Sequence, residues 1–300
     1  MPKRTPRRMC GTMSVHHRLL ESDPGFRGRQ TDLEHATAQR MMTSLRARIG
    51  ITTIPVVVHV VFNKADENIS VTQIRSQIAV LNRDYRATNP DRAKVPSVWG
   101  GLVADVRLQF ALATKDPKGK PTNGITRTKT TRTSFGGDDT VKFTARGGMN
   151  AWPTTKYLNM WVCTLAGGLL GYAQFPGGPR RTDGVVILNT AFGTTGSVKA
   201  PFNLGRSATH EVGHWLNLRH IWGDTEDCSG SDLVADTPNA AGPNFGKPKF
   251  SSISCGNGPS GDMFVNYMDY VDDDAMMMFT TQQAVRMQAA LDGARSLIGR

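Results

Sequence analysis

Residues 210 to 220 read His-Glu-Val-Gly-His-Trp-Leu-Asn-Leu-Arg-His, and this run constrains the chain more than any other stretch. On a helix, positions i and i+4 lie one turn apart on one face, so His210 and His214 can aim both imidazoles at a single ion. Glu211 then lies beside the ion without binding it. His220 is too far along to continue that face. The chain must therefore leave the helix after about Leu216 and swing back, and Asn217 stands where the turn belongs. Glycine is usual at such a turn, with asparagine the next most tolerant residue in left-handed geometry. Three neutral imidazoles on Zn²⁺ leave an open position for a water whose pKa the metal lowers toward neutrality, and Glu211 can take its proton. The chain has seven His and five Glu in 300 residues. Shuffling would give His-Glu-x-x-His in roughly three chains per thousand, before a third His is required.

The run resembles the metzincin clan. Together with Asn266-Tyr267-Met268-Asp269-Tyr270 it resembles the pappalysin family within that clan, over roughly Pro55 to Thr281. The resemblance implies a zinc metalloendopeptidase made as a latent proenzyme, acting on protein or peptide substrates. His210, His214 and His220 would hold the zinc. Glu211 would act as general base and pass the proton to the leaving amine. It also implies an α+β fold, with a twisted, mostly parallel sheet and two helices above a substrate cleft. An irregular lower subdomain ending in a helix would lie beneath.

The charge balance is +11, but residues 1 to 50 hold ten Lys/Arg against four Asp/Glu and so supply +6 of it. This basic arm has no helix-turn-helix, RNA-binding aromatic signature or Cys/His finger beside it, so no specific nucleic acid is expected. No stretch approaches the 18 or so apolar residues of a membrane span. The basic N-terminus lacks a following apolar h-region, so no signal peptide is visible. The cysteines nevertheless favour an oxidising, extracellular compartment.

Organisation follows from patterning. Residues 1 to about 50 are polar, arginine-rich and weakly patterned, and read as a prosegment. Residues 51 to 300 read as the catalytic domain, upper subdomain to about 220 and lower from about 221. Ile54 to Phe62 is a buried strand rich in β-branched residues. Ser70 to Tyr85 follows as a helix with a capping box at Ser70 and Gln73. Val106 to Ala113, Tyr157 to Leu165 and Gly184 to Leu188 supply further strands. Beyond His220 the chain is irregular until Thr280 and Gln283 form a second capping box, from which a helix runs toward Ile298. Met276, Met277 and Met278 read as packing, since thioethers suit softer metals than zinc.

The family resemblance assigns further roles. Met268 matches the methionine that floors the three imidazoles, and Tyr270 the tyrosine whose phenol helps bind the tetrahedral intermediate. Asp273, in the run Asp272 to Asp274, matches an acid in the pocket for the residue after the cut bond, implying a preference for Arg or Lys there. A run of three carboxylates alone reads as a solvated loop. Four cysteines allow three full pairings, and free buried thiols are also open. The family has a disulfide at the pair matching Cys228 and Cys255, and Cys163 reads as a small buried side chain. Cys10, in Arg-Arg-Met-Cys-Gly-Thr, resembles a cysteine switch whose thiolate occupies the open zinc position. A free thiol on an exposed arm is the other reading. Arg46 and Arg48 offer autolysis sites at the junction.

The acidic loop from Glu226 and Asp227 to Asp236 offers hard oxygen ligands for a structural Ca²⁺, as in relatives. Asp232, Thr237 and the Ala235 carbonyl are the candidates. Gly167 to Gly171 is a Gly-rich turn that would border the cleft and pair with an extended substrate. The competing class is a catalytically silent relative that binds partners or polyanions through the basic arm. Physiological substrate and oligomeric state are not legible in the sequence.

Overall fold

A computed structural model describes residues 6 to 42 and 50 to 299. Its centre is β1 (Thr52–Phe62), in which nearly every residue from Ile54 to Val61 is buried because both faces of the strand are covered. β2 (Leu108–Leu112), β3 (Ile125–Lys129) and β4 (Leu158–Cys163) all pair with β1 in parallel. β5 (Gly171–Ala173) and β6 (Val185–Leu188) complete the sheet, in the order β2-β1-β4-β6-β5 with β3 beside β1. β5 alone is antiparallel to its neighbour, and it forms the edge. The mostly parallel α+β architecture expected from the sequence is present.

Alternation along the strands sorts two cores. Ile54, Val56, Val58 and Val60 join Met160, Val162, Val185 and Ile187 under α3 (Val71–Asp84) and the helix bearing the histidines. Val61, Trp161, Cys163 and Val186 face the other way, onto Phe135, Tyr172, Val15 and Leu19. Ser70 caps α3 by accepting from the Gln73 amide N–H. The expected reciprocal capping box is absent, because the Gln73 side chain instead donates to the Asn189 and Phe192 carbonyls and braces a loop.

Two helices correct the expectation of a weakly patterned arm. They are α1 (Thr12–Ser22) and α2 (Phe26–Met42). Only four of their large apolar residues, Val15, Leu19, Phe26 and Leu33, are buried. Such sparse apolar positions leave the helices dependent on docking for stability. A short α4 (Ser97–Gly100) precedes β2, and α5 (Arg206–Trp215) carries the histidines. Past α5 the chain is irregular apart from a small parallel pair, β7 (Phe245–Gly246) and β8 (Tyr270–Val271). α6 (Thr281–Asp292) then starts with a full capping box between Thr280 and Gln283. It ends at Asp292 and Gly293 in turns, not near Ile298. Arg46 and Arg48 lie outside the described residues.

Candidate metal centre

All ten residues of α5 are buried, so its imidazoles are oriented by the protein and not by water. The helix stops where the ligand spacing demands. Asn217 adopts φ 75°, and the Leu218 amide N–H turns back to the Gly213 carbonyl. His214 and His220 are thereby brought together.

Each imidazole has its Nδ1 facing an oxygen. His210 Nδ1 donates to the Tyr267 carbonyl at 2.7 Å, His214 Nδ1 to the Leu218 carbonyl at 2.7 Å, and His220 Nδ1 to the Asp224 carboxylate at 2.5 Å. With each proton committed there, each Nε2 keeps a lone pair. Those lone pairs converge, His214 Nε2 lying 3.1 Å from both His210 Nε2 and His220 Nε2. Nitrogens about 2.0–2.1 Å from a tetrahedral metal lie about 3.3 Å apart, close to this spacing. Three lone pairs this close repel one another unless a cation sits between them, so the donor set fits a divalent metal. Burial, then the neighbouring imidazoles, holds His210 and His214 well below the usual histidine pKa, which keeps them available as neutral ligands.

Met268 lies directly beneath α5. A Cβ at Gly213 would meet its sulfur at 2.5 Å, so the glycine within the motif is what lets the methionine approach. The Tyr270 ring packs at 4.9 Å from the His220 ring and 5.8 Å from that of His210. Burial, and then the charges of Cys10 and Glu211, push its phenol pKa up, so it is a proton donor.

Glu211 lies on the opposite side, against the sheet edge. A Cβ at Gly171 would meet Glu211 Cγ and the Val186 carbonyl, each at 2.8 Å. Its Oε2 accepts from the Thr12 hydroxyl at 2.9 Å and from the Cys10 thiol at 3.4 Å. Burial raises its pKa to about 7, with those bonds and Arg8 pulling the other way. A carboxylate poised near neutrality is suited to exchanging protons.

The N-terminal segment runs through this site. Met9 and Gly11 bond the Leu170 and Gly171 backbone, so Cys10 pairs with the edge strand where the Gly-rich turn was expected to hold a substrate. Its Sγ and the three histidine nitrogens all lie within 4.8 Å of one another. Thr12 bridges further by accepting from the Ala173 amide N–H. Arg8 enters a buried pocket, donating to Asp273 at 2.6 Å, Ser207 at 3.0 Å and the Val271 carbonyl at 3.2 Å. The other Asp273 oxygen accepts from the Leu204 and Arg206 amides at the start of α5. Asp273 is thus fully buried, unlike a solvated loop acid.

The remaining candidates divide. Cys228 and Cys255 form a disulfide, and Cys163 is a buried thiol. Asp232 and Thr237 meet at 2.7 Å in a buried spot, and burial raises the Asp232 pKa to about 7. The Ala235 amide N–H donates to Gln282, and Asp236 caps the start of α6, accepting from Thr280 and Gln282. Glu226 and Asp227 are exposed. Sequence reasoning missed Arg8, Thr12 and Asp224. Arg8 reaches an acid 265 residues away and Thr12 opens α1, so spacing around Cys10 gave no signal for either.

Comparisons with known proteins agree with this geometry. A peptidase family model described as pregnancy-associated plasma protein-A matches residues 143–292. An extracellular metalloprotease of Pyricularia oryzae is 34% identical over 256 residues, 82% of this chain and 77% of its own length. One from Arthroderma benhamiae is 31% identical over 290 residues, 94% of this chain and 90% of the relative. Among solved structures, a mutant of Tannerella forsythia promirolysin is 46% identical, with a TM-score of 0.90 and 97% of each chain covered. Mature mirolysin of the same organism, in complex with a cleaved peptide, is 50% identical with a TM-score of 0.82, over 83% of this chain and 96% of that one.

Proposed function

We propose, since this chain belongs to the pappalysin family of metalloendopeptidases, that it is a latent zinc endopeptidase whose N-terminal segment, about residues 1 to 50, plugs the catalytic cleft of residues 51 to 300. The observation that carries this reading is the convergence of three deprotonated Nε2 atoms at 3.1 Å, with the Cys10 thiol on their open side. His210, His214 and His220 would hold the zinc. When bound, zinc supplies a Lewis acid that polarises the peptide carbonyl and acidifies a water.

The protein's own groups do the rest. Glu211 takes the water proton and hands it to the leaving amine. Tyr270, uncharged and donating, faces the developing oxyanion. Met268 floors the imidazoles. Gly171 lets the substrate backbone lie close to Glu211, along the same edge that Met9 and Gly11 now occupy.

Latency follows from three blocks in five residues. Cys10 stands at the open metal position, Thr12 occupies Glu211, and Arg8 fills the Asp273 pocket. The Arg8 contact also supports the substrate preference, because a buried carboxylate that accepts a guanidinium here would accept Arg or Lys after the cut bond. Removal of the segment, by autolysis at Arg46 or Arg48, would open all three. The buried Asp232 and Thr237, with the Ala235 carbonyl, are the candidate calcium ligands. The relatives' extracellular setting and the Cys228–Cys255 disulfide support secretion.

The test is hydrolysis of casein by the full chain before and after the segment is cut away, with chelation and zinc restoration. Activity should appear on cutting, vanish with chelator and return with zinc. A cut, folded, zinc-loaded protein that hydrolyses nothing would end this reading.

A further inference from the structure

The segment makes a second polar contact with the enzyme, at the far end of α5. Glu34 on α2 accepts from Arg286 on α6 through both oxygens, at 2.8 and 2.6 Å, a bidentate fork. Arg219 Nη2 lies 3.7 Å from the same carboxylate, and the Asn217 amide approaches it at 3.4 Å. Arg286 is 1% exposed and held in place by donating its Nε to the Asn217 carbonyl at 2.7 Å. A buried guanidinium in fixed orientation implies a carboxylate partner, because leaving one buried and unpaired is strongly destabilising.

No other carboxylate stands ready to replace Glu34 among the described residues. The acids nearest Arg219 and Arg286 are Asp224 and Asp232. Asp224 is engaged by His220, and Asp232 by Thr237 and the Val234 amide. When α2 leaves, the fork and Arg219 lose the carboxylate they contact directly.

The two charged pockets lie at opposite ends of the active-site helix. Asp273 binds the amides at its start, and Arg286 binds the carbonyl of the turn that ends it. Ten helical residues separate them by about 15 Å. Arg219 directly precedes the metal-site His220 in the turn that ends α5, and the segment itself runs from the Asp273 pocket at Arg8, past the imidazoles at Cys10, toward that end, where His16 packs on Phe175 and Phe175 on His214. A peptide whose basic residue follows the cut bond in the Asp273 pocket would extend its preceding residues toward Arg219 and Arg286.

We infer that Arg286 and Arg219, capped by Glu34 in the full chain, form a carboxylate-binding subsite for a substrate Glu or Asp lying before the cut bond, about three to five residues upstream at ~3.3 Å per extended residue. The inference rests on the proposed peptidase reading and adds an acidic determinant to it. Glu34 is then a mimic of the substrate carboxylate, as Arg8 is of the basic residue.

The experiment uses the zinc-loaded full chain, cut at the junction and freed of its segment. Fluorogenic peptides with a fixed Arg after the bond carry Glu, Gln or Ala at the third, fourth or fifth position before it. Wild-type kcat/KM should favour Glu over Gln about tenfold at one position, and Arg219→Gln should bring that ratio close to one. A ratio of one at every position in an active enzyme, or an unchanged ratio in the variant, overturns the subsite. Failure to cleave any peptide overturns the peptidase reading instead. A second variant, Glu34→Gln in the full chain, should release the cut segment several-fold faster in gel filtration. Unchanged retention also counts against the subsite.

Discussion

Arg8 and Asp273, 265 residues apart in sequence, meet as a buried ion pair at 2.6 Å with both side chains nearly or fully inaccessible. The same carboxylate receives the Leu204 and Arg206 amides, so one side chain both anchors the start of α5 and holds the N-terminal segment. Its negative end is preorganised for a cation by groups that stay with the enzyme. Asp273→Asn keeps an oxygen for those amides while removing the charge. Kinetic profiling of the cut enzyme should therefore show the proposed Arg/Lys preference after the bond falling at least tenfold, against little change in thermal stability, since a charge-assisted bond is lost from the pocket. Unchanged selectivity would separate Asp273 from substrate recognition.

The Cys10 thiol lies beside the three imidazoles and Glu211, and two residues on the Thr12 hydroxyl donates to the same carboxylate. In Cys10→Ser the hydroxyl is a far weaker metal ligand than a thiolate, while Arg8 and Thr12 still dock. The uncut chain should gain measurable casein hydrolysis and should process several-fold faster than wild type. A variant as silent and as slowly processed as wild type would show that the thiol contributes nothing to latency.

Glu211→Gln preserves shape and a bond to Thr12 but cannot accept a proton. Turnover by the cut enzyme should fall about 10²- to 10⁴-fold, the range for losing a general acid–base group. Bound zinc, measured by elemental analysis, should stay at one per chain because the imidazoles are untouched. Loss of metal in parallel with activity would assign Glu211 to ligation instead.

How much of this was legible in the sequence depended on range. The imidazole cluster is set by helical periodicity and a single left-handed residue, both local, so His210, His214 and the break at Asn217 were readable. Strands β1, β4 and β6 were visible as apolar runs. β3 and β5 were not, because each is short and β3 has no buried residue and two exposed ones, leaving no pattern longer than a turn. α1 and α2 escaped for a different reason. Their four buried apolar residues are spread over two helices, and docking on Tyr172, Trp161 and α6 supplies the stabilisation that periodicity would have announced. Contacts such as Arg8 with Asp273, or Glu34 with Arg286, join distant segments and leave no trace in spacing.

The Cys228–Cys255 disulfide closes a 27-residue span within the irregular lobe. In the chain-entropy account a loop of that length is worth about 3–4 kcal/mol. Replacing both cysteines by serine should lower Tm by several degrees and should increase proteolytic nicking between residues 228 and 255. An unchanged Tm would mean that the lobe is held by its hydrogen bonds alone, among them Ser254 and Asn257 donating to Asp262.

His59 gives a pH prediction independent of the metal. Its ring is fully buried on β1 between Asn159 and Thr126, at 2.9 and 2.8 Å. The Asn159 amide nitrogen donates to the Trp152 carbonyl, so its oxygen accepts from His59 Nε2 and the ring is neutral with Nδ1 accepting from Thr126. Burial lowers its pKa to about 4, from an ordinary value of 6.5. Above pH 6.5 both folded and unfolded chains carry a neutral ring, and the residue adds no pH dependence. Between 6.5 and 4 only the unfolded chain takes up the proton, so stability falls as pH falls, by up to about 3 kcal/mol. Asp84, whose pKa burial raises to about 6, works in the opposite sense over part of that range, because its folded form keeps a proton longer. Subtracting a His59→Gln variant from wild type cancels Asp84 and every other shared group. Urea unfolding from pH 4 to 7 should then show the wild type losing stability relative to the variant only below about pH 6.5, and parallel curves would mean that His59 titrates normally inside the fold.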